Sequence, residues 1–111
     1  MNEDKFWDVI QGMNYTEKGH KGAGQYLIHE SGLSTEEMHE VERMVERKVS
    51  ELYRRFHDDV NGCGDDGFND LCFQIVSNGR EAFETATAES AQQMVDNDEY
   101  RESFSYAFLD L

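Results

Sequence analysis

The 111-residue chain has no proline. Helix ends and turns must therefore rest on glycine, asparagine and aspartate. Its only cysteines are Cys63 and Cys72, and one pair is not the framework that staples a small secreted domain. A reducing cytoplasm is the expected setting. No run approaches the ~20 apolar residues of a spanning helix, and no basic start with an apolar stretch behind it suggests a secretory leader. Strand character is scarce too, because Val and Ile fall inside helical stripes and not in alternating runs. Bases are few: 10 Lys and Arg stand against 24 Asp and Glu, a formal net charge of -14. That balance argues against direct nucleic-acid binding, which needs clustered cations, and an anionic membrane would repel the chain. A partner with a basic surface would be steered toward it.

Thirteen aromatics are present, enough to argue against disorder. Phe6, Trp7, Ile10 and Met13 recur at helical spacing behind an acidic first turn, which predicts a short helix over 3–13. "NYTEKGHKGAG", with Gly19, Gly22 and Gly24, reads as a loop by composition. "QYLIHES" then fits one or two turns of helix or a short strand. The clearest element follows. Ser34 with Glu37 forms a capping-box signature, and Leu33 with Met38 a hydrophobic staple. Met38, Val41, Val45, Val49, Leu52 and Phe56 form one stripe of a helix over about 35–58. Its outer face carries Arg43, Glu46, Arg47, Lys48, Arg54 and Arg55, and Glu42 and Glu46 are each placed to meet a base about four residues on. Phe68, Leu71, Cys72, Ile75 and Val76 predict another helix, capped by Asp65 or Asp66, which either closes at Asn78-Gly79 or bends there and runs on. Phe73 lies off that face, where a second helix or a partner could meet it. Ala82, Phe83 and Ala86, then Tyr100, Phe104, Ala107 and Phe108, continue helical spacing. The expectation is an all-α single domain over 1–111, with four to six helices.

Between the two best helices lies "NGCGDDGFND", Asn61 to Asp70. As a calcium loop starting at Asp59 it fails twice: Cys63 falls where an oxygen ligand is needed, and Asp70 where the longer Glu is usual. As a turn it works, since Gly62 and Gly64 allow positive φ and an aspartate can accept orphan amide hydrogens. A nucleophilic Cys63 with His57 as its base is conceivable, but Asp65 and Asp66 would oppose a thiolate. The four histidines, His20, His29, His39 and His57, show no zinc spacing. No metal and no cofactor are expected.

Three stretches, taken together, carry a family pattern. They are "FWDVIQ", "LSTEEMHEVERMVERKVSELY" and "NGCGDDGFNDLCFQIVSNGREAFETA". Gly62, Cys63, Asp65, Asp66, Gly67 and Phe68, then Gly79, Arg80 and Glu81, match most closely. In order and spacing the chain resembles the bacterial family known as domain of unknown function 4240, over about Phe6 to Ala86. Gly64 departs from the pattern, where serine is expected, and 15–32 shows no clear match. The resemblance implies a compact helical bacterial domain and brings no activity or catalytic residue with it.

Two functions remain in view. One is a small acidic interaction module: an inhibitor, immunity-type or anti-defence protein that imitates the phosphates of nucleic acid and covers the basic surface of a nuclease or nucleic-acid-binding complex. Its candidate residues are Asp65, Asp66, Glu81, Glu84, Asp96, Asp98, Glu99 and Glu102. The stretch from Glu81 to Asp110 holds eight acids against Arg80 and Arg101. The alternative is a small enzyme or ligand- or metal-binding domain built on the 62–67 turn, with Arg80 holding Asp66 or a substrate anion.

Overall fold

The computed structural model of the chain describes residues 1–100 and 104–111. The described residues form six α-helices, a π-helical turn and a 3-10 turn, with no strand among them. Helix α1 (Glu3–Met13) starts where the Asn2 side chain accepts a hydrogen bond from the Lys5 amide, and it ends at Asn14 in the left-handed conformation. Phe6, Trp7, Val9, Ile10 and Met13 are its buried face.

The glycine-rich stretch predicted as a loop is helical. Helix α2 (Tyr15–Gln25) bends at Gly19 (φ 70°) and runs into the π-helical turn Tyr26–Glu30, so no strand forms there. Composition misled because one of these glycines serves packing. A Cβ on buried Gly24 would lie 2.7 Å from the Ala107 carbonyl oxygen. Only glycine lets α2 approach the 3-10 turn Phe104–Phe108 that closely.

Helix α3 (Thr35–Phe56) has the predicted capping box: Ser34 Oγ accepts from the Glu37 amide, and the Glu37 carboxylate accepts from the Ser34 amide. Those bonds, with Lys5 nearby, hold the Glu37 carboxyl below its ordinary range. Val41, Val45, Val49, Leu52 and Phe56 are buried along one stripe. The outer face differs from expectation. Glu42 approaches His39 at 3.5 Å and not a base further on, and Glu46 has no ion-pair partner among the described residues. Lys48 turns inward: its ammonium lies 5.1–5.7 Å from the ring centres of Phe83, Trp7 and Phe6 and 3.0 Å from Glu3.

Helix α4 (Gly64–Ser77) is the centre of the bundle. Every residue from Leu71 to Ser77 is buried, Phe73 included, because α3, α5, α6 and the 3-10 turn all pack on it. The expected single apolar face is thus too narrow a description. Gly79 (φ 109°) breaks the chain between α4 and α5 (Arg80–Thr85). Thr87 and Ser90 cap α6 (Ala88–Asp96) reciprocally. Phe104, Ala107 and Phe108 are buried as their spacing implies, although on a 3-10 turn. Among the described residues no helix is long and apolar enough to cross a membrane.

Candidate acidic interface and its glycine turn

The turn is assembled from both sides. At the end of α3, the His57 ring stacks on Tyr53 (4.6 Å between centres, 20° between planes) and meets the edge of Phe68 at 6.0 Å. Gly62 (φ 98°) and Gly64 (φ 69°) reverse the chain. Serine, the residue of the resembled pattern, would be strained at the φ of Gly64. From the far side, the Gln92 carboxamide accepts from the Asn61 amide and donates to the Asn61 carbonyl, both at 2.9 Å. One side chain on α6 thereby holds the backbone of the turn.

The predicted aspartate cap does not form. Cys63 occupies the N-cap position of α4, and its side chain makes no capping hydrogen bond. Asp65 and Asp66 lie in the first turn, where the helix dipole favours them, and point to solvent. Asp65 stays 88% exposed, with a 3.6 Å contact to His57 Nε2, and Asp58, 99% exposed, lies 3.3 Å from His57 Nδ1.

The chemistry of the turn gives no support to a nucleophile. Burial pushes the Cys63 thiol up; its own backbone hydrogen bond opposes this, and Asp65 adds to the rise. Burial pushes the Cys72 thiol up to about 12, with Cys63 adding to it. Both stay protonated at neutral pH, and a thiol is a poor nucleophile. Among the described residues no group of three or more His, Cys, Asp or Glu could hold a metal ion.

Arg80 does not reach Asp66, the partner expected from sequence. Its Nη1 donates to Asp4 at 2.7 Å and its Nε to Glu84 at 3.0 Å. Those two acids keep the guanidinium more strongly protonated than usual. A separation of 76 residues along the chain hides the Asp4 contact from any local reading.

The remaining candidates are spread over several elements. Glu81 is exposed on α5 beside the Glu84–Arg80 pair. Asp96 accepts from Gln92 at the end of α6. Asp98, in the left-handed conformation, and Glu99 face a cavity of about 720 Å³ together with Glu17, Lys18 and the buried Gln74. Glu102 lies outside the described residues. The acids are thus spread over several elements. Glu17 is the carboxylate that sequence reading missed, because its stretch read as an uninformative loop.

The model of the family described as protein of unknown function, DUF4240, matches residues 1–110. The chain belongs to this family. The DUF4240 match runs through the glycine-rich α2 and on to the C-terminal 3-10 turn, well beyond the blocks that carry the resemblance in sequence. No curated protein and no solved structure matches the chain.

Proposed function

We propose that this DUF4240 chain is an acidic interaction module of the inhibitor, immunity or anti-defence kind. It covers the basic, nucleic-acid-binding surface of a partner protein. One observation carries the reading: residues 57–111 hold thirteen acids against two bases, so most of the -14 charge belongs to this half. Asp58, Asp59, Asp65, Asp66, Glu81, Glu89, Asp96, Asp98 and Glu99 are all exposed there. Carboxylates left in solvent present a field that steers a cationic surface in and repels an anionic one.

The test is affinity capture from the host at low and high salt, with the chain and with its Asp65→Asn/Asp66→Asn/Glu81→Gln variant. A basic nucleic-acid-binding protein is expected to be retained at ~50 mM salt and released at ~500 mM, as the Debye length shrinks. The variant should retain less of it. Partners that are only neutral or acidic, or a retention indifferent to salt, would overturn the proposal.

A further inference from the structure

On the opposite sign of charge, α3 presents a second surface. Arg43, Arg47, Ser50 and Arg54 follow one another by four, three and four residues, which puts them on one face of the helix. At ~1.5 Å per residue the stripe is ~16 Å long. All four residues are exposed, and with Glu46 they line an open depression of about 420 Å³.

In a chain so rich in acids, these arginines ought to be neutralised. They are not: among the described residues none of the three has an ion-pair partner. Other bases of the chain are engaged within it. Lys5 meets Glu37, Lys48 meets Glu3 and three rings, Arg80 meets Asp4 and Glu84, and Arg55 donates to the Ala86 carbonyl. The one lysine of α3 is also the base that turns inward, so every exposed base on the helix is an arginine. Arginine forks onto carboxylates in pairs of hydrogen bonds and is enriched at protein interfaces, where lysine is depleted.

We infer that this stripe is a docking surface for an acidic helix of a partner protein. A helix laid along α3 repeats with the same 3.6-residue period. Carboxylates spaced i, i+4, i+7 and i+11 would face Arg43, Arg47, Ser50 and Arg54 in turn. Glu46, inside the same depression, disfavours an unbroken polyanion such as a nucleic-acid backbone and suits a protein segment that places a base opposite it. The rest of the negative charge does not forbid the contact, because at physiological salt charges more than ~8 Å apart are largely screened. This surface is separate from the acids of residues 57–111 and stands or falls without them.

The test uses two labelled helical peptides of identical composition, read by fluorescence anisotropy with the whole chain at ~150 mM salt, where the distant acids are screened. One carries glutamates at i, i+4, i+7 and i+11 with a lysine opposite Glu46; the other spreads the same residues around the helix. The patterned peptide should bind about tenfold more tightly than the spread one, and Arg47→Glu should remove that preference. Lys21→Glu, which makes the same charge change at an exposed site off the stripe, should leave it intact. Equal binding of the two peptides, no binding of either, or equal loss in both variants would overturn the inference. So would tighter binding of tripolyphosphate or duplex DNA at the stripe, or concentration-dependent self-association abolished by Arg47→Glu.

Discussion

Charge is used in two ways in this molecule. In residues 1–56, eleven acids face eight bases, and several of them tie separate elements together. The Met1 amino group meets Glu40, Lys5 meets Glu37 and Lys48 meets Glu3, each joining the N-terminal segment to α3. In residues 57–111 the acids outnumber the bases thirteen to two, and most of them simply stand in water. Packing of α4 and the capping of α6 hold that half together instead. The paired charges of the first half serve the fold, although surface pairs are individually weak, while Arg43, Arg47 and Arg54 of α3 stand outside them. In the second half charge costs some stability by self-repulsion and is free for a partner.

The contact that most strongly distinguishes the halves is the Lys48 cage, where α1, α3 and α5 meet. Phe83→Ala removes one wall of the cage and a core side chain that is 7% exposed. It should destabilise the chain by about 3–5 kcal/mol in urea or thermal unfolding. Lys48→Met keeps most of the apolar stem and removes only the charge. With its side chain 13% exposed, the ammonium is partly desolvated, so the loss should be about 1–2 kcal/mol. A neutral effect would mean that the cation is only tolerated there, and that charge does not hold the N-terminal half after all.

The cage also marks where local reading ends. The stripe and capping box of α3 and the first helix were legible, because their signals lie within three or four residues of each other. So was the excess of acid toward the C-terminus, which is pure composition. Nothing in "MVERKVSELY" distinguishes Lys48 from Arg47, since Lys48 turns inward only because Phe6, Trp7 and Phe83 come to it from other helices. Helix α2 was hidden for the same reason. Gly24 looks like a loop residue until Ala107 is known to lie against it. At the turn, Asp65 and Asp66 had the right chemistry for a cap, but Gly64 at positive φ puts Cys63 in the capping position instead. Gln92, which does hold the turn, sits 31 residues from Asn61 and carries no motif.

Beneath its exposed acids the second half buries a titratable group, and pH can separate the two. The Cys72 thiol is raised from 9.0 to about 12 by burial. Below pH 9 it is protonated in both folded and unfolded chains and contributes no pH dependence. Between 9 and 12 the unfolded chain loses this proton while the folded chain keeps it, so stability falls as pH rises and levels off above about 12. The slope approaches about 1.4 kcal/mol per pH unit, and the loss at pH 10 relative to neutral pH is also about 1.4 kcal/mol. Cys72→Ala should flatten this alkaline limb, measured as the thermal midpoint against pH relative to the unaltered chain. An unchanged limb would assign it to the other groups that burial raises, Cys63, Tyr53 and Tyr100.

The smallest effect on stability is expected at the turn itself, and it tests the comparison from the other side. Asp65→Asn and Asp66→Asn each remove an exposed charge from the first turn of α4. The helix dipole then loses a favourable partner, worth ~0.3–1 kcal/mol at an exposed site. Against this, neutralisation relieves repulsion within a strongly acidic half, and Asp65 forfeits only a long, solvent-exposed contact to His57. The opposing contributions should leave each variant within ~0.5 kcal/mol of the parent. A loss beyond ~1 kcal/mol at Asp66 would make it a structural member of the turn and would remove the contrast between bound and free charge. A negligible loss, combined with weakened capture of a basic partner, would identify these carboxylates as surface kept for binding.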